Sequence, residues 1–105
     1  MRIDIHCHAF HPKIADKVTA QLDDHYGIRP VGDGTCEDLL ARARRAGLDK
    51  VVVLGAATDP AQVIPANNWA MGLQEAHPEV VAFGTLHPGF VKVEKELERL
   101  TRHGV

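Results

Sequence analysis

In the segment AGLDKVVVL, residues 46–54, a helix stop and a strand start stand three residues apart. Gly47 follows an apolar stripe at the place where a helix usually ends in a left-handed residue. Lys50 to Leu54 is then a continuous β-branched run, of the kind found where a parallel strand is covered on both faces. A helix that feeds straight into such a strand belongs to an alternating α/β chain with a parallel sheet.

The same punctuation repeats upstream. Thr35 with Asp38 three positions later resembles a capping box, and Leu39, Leu40, Ala43 and Ala46 form the stripe that Gly47 closes. Before it lies a loop rich in Gly and Pro. Its GDG at 32–34 follows no strand directly and lacks the Lys of a nucleotide cradle, so it reads as a helix-entry turn. Pro12 suits a first helical turn, and Ile14, Val18, Leu22 and Tyr26 recur every fourth residue until Gly27. RIDIHCH, residues 2–8, alternates strictly: Ile3, Ile5 and Cys7 are expected on one face of a strand, Asp4, His6 and His8 on the other.

Downstream, Asp59-Pro60 suggests a helix start, but Pro65 sits poorly inside a helix, so the reading is a short turn followed by a helix from Pro65. Trp69, Ala70, Leu73 and Ala76 form its stripe, and His77-Pro78 ends it before the strand VVAFGTL, residues 80–86. Val93, Leu97 and Leu100 mark a last amphipathic helix that stops at Gly104. The expected fold is therefore one α/β domain over 1–105, with three strand-helix units on a parallel sheet, a partial (β/α) barrel. The alternation would next open a fourth strand.

Composition narrows the function classes. At 105 residues and 45% hydrophobic content, the chain can build one modest core. A formal charge of −2, with few aromatics and no basic stripe, excludes a phosphate-tracking surface, so nucleic acid is not an expected partner. No apolar run reaches the ~18 residues needed to span a bilayer, and no basic-then-apolar leader is present, which points to no membrane partner and to a cytoplasmic location. Two cysteines, Cys7 and Cys36, make no disulfide framework.

The chemistry concentrates in the first strand. Histidines two apart on a strand present their imidazoles side by side, a simple way to hold two nitrogen ligands on one metal ion; the alternative is a pair of ordinary strand-end polar residues. At the C-terminal end of a parallel strand, His6 and His8 would lie where such sheets keep their active sites. Asp4 could fix a histidine tautomer or bond backbone. His87 ends the third strand as His8 ends the first, so it could share that rim or serve as a loop residue before proline, while His11 lies in the loop, where capping is the expected role. His25, His77 and His103, near helix ends, suit the last carbonyls. Cys7, facing away from the pair, reads as a small buried residue.

These residues carry a family resemblance. IDIHCH resembles the opening strand of the amidohydrolase superfamily of metal-dependent hydrolases, whose first barrel strand ends in His-x-His. HYGI at 25–28, GDGT at 32–35, AGLDKVVVL at 46–54 and FGTLHP at 83–88 also look like its amidohydrolase-related branch, which includes decarboxylases of aromatic and related acids. The resemblance implies an eight-stranded TIM barrel in which His6 and His8 bind a divalent metal, usually zinc, alongside later histidines and a late aspartate. That metal would activate water or polarise a small carboxylate-bearing substrate. Such a barrel takes about 250 residues, and three of its eight units are present here. A catalytic zinc takes three protein ligands, so completion of the site is expected to involve His11, His87 or another chain.

One further expectation concerns association. Right-handed crossovers place the helices on one face of the sheet and leave Val81, Phe83 and alternate residues of KVVVL facing water on the other. Self-association as a homo-oligomer is expected, either of an enzyme or of a non-catalytic α/β module derived from one. A phosphoesterase that opens on closely spaced histidines is a third possibility, weakened by the missing phosphate cradle.

Overall fold

A computed structural model describes residues 1–105. The strands are β1 (Ile3–Cys7), β2 (Lys50–Leu54) and β3 (Val80–Phe83); the helices are α1 (Pro12–Tyr26), α2 (Cys36–Arg45), α3 (Val63–Ala76) and α4 (Val93–Arg102). A single 3-10 turn, Pro60–Gln62, leads into α3. The three strands form one parallel sheet in the order β1-β2-β3, with Val51 beside Val80 and Leu54 beside Phe83. This is a mixed α/β fold in which two helices occupy the first crossover and one the second.

One face of the sheet makes the core. Cys7, Val51, Val53, Val80 and Ala82 pack beneath Cys36, Leu40 and Ala43 of α2 and Ala70 and Leu73 of α3. On the other face Val81 is 38% exposed and Phe83 55%, while Val52 and Leu54 are half-buried. The β-branched run of β2 is thus covered on one side only.

The α2 entry follows the capping logic in part. Thr35 Oγ1 accepts from the Asp38 N–H at 3.2 Å, but the Asp38 carboxylate reaches past Thr35 to the Asp33 N–H at 3.2 Å. Asp33 in turn accepts from the Thr35 N–H and hydroxyl. Arg42 donates to Asp38 at 2.8 Å and, with the Asp33 N–H, holds that carboxyl below its usual range.

Four expectations need correction. The stripe Ile14, Val18, Leu22, Tyr26 does not enter the core: Ile14 and Tyr26 are exposed and α1 buries Ala15 alone. The helix rests instead on the turn at Gly34, whose φ is +83° and where a Cβ would stand 3.0 Å from Thr19 Cγ2 and 3.3 Å from Phe10 Cδ2. Only glycine fits there, and its carbonyl accepts from the Phe10 N–H at 2.7 Å. Second, α3 starts at Val63, two residues before Pro65. The proline is then the third helical residue, where a missing N–H costs nothing because the first turn has no intrahelical acceptors for it.

Third, β3 ends at Phe83, not residue 86. Asn67 of α3 takes over the next backbone groups: Thr85 N–H donates to Asn67 Oδ1 at 2.7 Å and Asn67 Nδ2 donates to Thr85 O at 3.0 Å. Fourth, β1 does not alternate strictly. Asp4 pairs with Val51 and Cys7 with Val53, so three residues of β1 span two of β2, and Asp4 falls on the same face as Cys7. The cause is local: Asp4 Oδ1 accepts the His6 N–H at 3.1 Å, a side-chain bond that competes with the ladder and inserts a bulge.

Candidate metal centre

The bulge aims the last residues of β1 at the C-terminal edge of the sheet. There His6 and His8, both exposed, bring their Nε2 atoms to 3.2 Å, with ring centroids 5.2 Å apart and ring planes at 71°. His8 Nδ1 lies 3.0 Å from Leu54 O, at the end of β2. A carbonyl only accepts, so Nδ1 carries a proton, and in the neutral ring the lone pair is then at Nε2. This is the arrangement by which a backbone carbonyl fixes the tautomer of a ligating histidine. Phe10 lies parallel to the His8 ring, its centroid 6.2 Å away.

The donor set fits a divalent ion. Two nitrogens each about 2.0–2.1 Å from a tetrahedral zinc stand about 3.3–3.4 Å apart. The 3.2 Å separation here falls just short of that. Two bare lone pairs at this distance repel, so either a proton on one of the two Nε2 atoms or a cation lies between them.

The remaining sequence candidates go elsewhere. Asp4 takes the backbone role and touches neither imidazole by hydrogen bond. His11 Nδ1 accepts from the Lys13 N–H at 3.2 Å, capping α1, while its ring meets Trp69 edge-on at 5.1 Å. His87 Nδ1 accepts from the Gly89 N–H at 3.0 Å and shapes the turn after β3. No group of three or more His, Cys, Asp or Glu side chains is arranged to hold a metal. Cys7 is buried, and desolvation, followed by the neighbouring Asp4, pushes its thiol up to about 11, which suits neither a nucleophile nor a ligand.

Three supports of the rim carried no sequence signal. The Leu54 carbonyl is a backbone group. Trp69, read as core, also donates its indole N–H to Ala9 O at 2.8 Å and so ties α3 to the segment after β1. Asn67, fully buried, binds both Thr85 backbone groups and donates to Glu96 Oε1 at 2.7 Å. Thr85 Oγ1 accepts from the Ala57 N–H at 3.1 Å, so the loops after β2 and β3 are held as one unit. Glu96 is also paired with Arg99 at 2.6 Å, and these donors hold its carboxyl below the usual range, Arg99 first and Asn67 next.

No family model, curated protein or solved structure matches this chain. No helix is long and apolar enough to cross a membrane.

Proposed function

We propose that this chain carries part of the metal centre of a metal-dependent hydrolase or decarboxylase of the amidohydrolase kind, with His6 and His8 as ligands to zinc or a similar divalent ion. The sheet is then three consecutive strands of a (β/α) barrel, and the rim at the strand C-termini is its active-site end. The observation that carries the reading is the 3.2 Å approach of His6 and His8 Nε2, with Leu54 O holding the proton on the far nitrogen of His8. When bound, the metal supplies Lewis acidity toward water or a substrate carboxylate. The chain's own part is to hold two nitrogens convergent on a rigid strand end and, through the Leu54 carbonyl, to place the proton of the neutral His8 ring on Nδ1 so that Nε2 carries the lone pair. Asp4 shapes the strand that aims them.

The test is elemental analysis of protein purified without chelator, beside a His6→Ala, His8→Ala double variant. Zinc that accompanies the native chain and disappears from the variant supports the reading. A panel of small amides, esters and carboxylates is then screened for turnover that a chelator abolishes. Native protein that binds no divalent ion refutes it.

The uncovered sheet face favours a second reading, a non-catalytic self-associating module. Phe83 and Val81 on β3 and Ile5 on β1, 75% exposed, offer apolar surface on the two edge strands. Sedimentation of native and Phe83→Ser protein over a range of concentrations distinguishes it: this reading requires an oligomer that the substitution weakens without metal.

A further inference from the structure

We propose that two copies of this chain meet on one divalent metal ion, each contributing His6 and His8 across a two-fold axis. The proposal rests on the reading of these histidines as metal ligands and adds the source of the other half of the site.

Coordination geometry comes first. Two nitrogens 3.2 Å apart occupy one edge of a coordination tetrahedron and leave the opposite edge open. Nothing else in the same chain closes it, since no third His, Cys, Asp or Glu joins the pair. His11 and His87 have their Nδ1 atoms committed to the backbone N–H groups of Lys13 and Gly89. A tetrahedron has two-fold axes that exchange opposite edges. A second copy related by such an axis through the ion therefore supplies the same two nitrogens in the required place, as an isologous contact.

Access comes second. The pair stands at the end of β1, an edge strand, with both rings exposed. Met1, Ile3 and Ile5 of the same segment are 92%, 46% and 75% exposed, so the approach of a second chain would also cover apolar surface around the ion. Preorganisation comes third: Leu54 O already sets the His8 tautomer, so little ordering remains to be done on binding.

The experiment is a Co2+ titration of metal-stripped, tag-free native chain, read by visible d–d absorption and by mass in sedimentation equilibrium. The expected result is intense tetrahedral bands saturating at one Co2+ per two chains, with mass rising from monomer to dimer in step and falling back on chelation. Because two chains share each ion, raising the chain concentration tenfold lowers the free Co2+ needed for half-saturation about tenfold. His6→Ala and His8→Gln, each checked for native circular dichroism, should lose the bands and the metal-dependent dimer together.

One Co2+ per chain on a monomer, with a midpoint independent of chain concentration, overturns the shared site while leaving the ligand reading intact. A dimer that forms equally with and without Co2+ overturns it as well and assigns association to the sheet face. Absence of Co2+ binding overturns both this proposal and the ligand reading on which it rests.

Discussion

Replacing Asn67 with alanine tests the account of how the rim is held. The side chain is fully buried and makes three hydrogen bonds: to Thr85 O, from Thr85 N–H, and to the Glu96 carboxylate. Two neutral bonds at about 1 kcal/mol each and one to a charged group at about 1.5–3 kcal/mol give a loss of about 4 kcal/mol, before any cavity cost. A chain of this length has roughly 5–15 kcal/mol in total, at about 0.05–0.15 kcal/mol per residue. The variant should therefore lose a large fraction of its stability. Urea unfolding followed by circular dichroism measures it, and the melting temperature should fall by on the order of 20 °C. Hydrogen exchange adds position: the Thr85 and Ala57 amides should lose protection ahead of the β2 amides, because Asn67 holds Thr85 and Thr85 holds Ala57. A loss below about 1 kcal/mol, or uniform loss of protection, would refute the argument and mean that the loop after β3 is held by something else.

Glu96 links this cluster to pH. Its carboxyl lies below the usual range in the folded chain, so the ionised pair contributes stability above the unfolded value of about 4.3, which is lost as pH falls through the lower folded value. Urea midpoints measured down the acid side should drop for the native chain and change less in Glu96→Gln, which starts less stable at neutral pH. Thr35→Ala removes the acceptor for the Asp38 N–H and should cost about 1 kcal/mol, seen as a lowered thermal midpoint with unchanged secondary structure. Cys7, buried and pushed up to about 11, should resist alkylation at pH 8 in the native state and react promptly in urea; fast native labelling would contradict its placement under α2 and α3.

The contrast between what was legible and what was not follows the range of the interactions. Residues 46–54 announce their structure because a helix stop at Gly47 and a β-branched strand are local properties of the chain, and α2 and β2 fall within a residue of the expected positions. The α1 bounds at Pro12 and Gly27 are local in the same way, but the apolar spacing between them does not say how deeply that side is buried. Which side of a helix is buried depends on what lies beneath, here the Gly34 turn. The alternation in RIDIHCH failed for a related reason: one aspartate side chain bonded the backbone two residues on and shifted every later residue by one.

The sequence by itself determined the order of strands and helices, most of their ends, and the spacing that puts His6 beside His8, since all of these rest on contacts within a few residues. Only the tertiary structure decided that Leu54 lies against His8 Nδ1 and that Asn67 ends β3 early. Where a side chain's partner lies tens of residues away, as with His8 and Leu54, only folding brings the two together, and no local pattern records the meeting. The His11 and His87 contacts, by contrast, are made with N–H groups two residues on, within reach of a local reading.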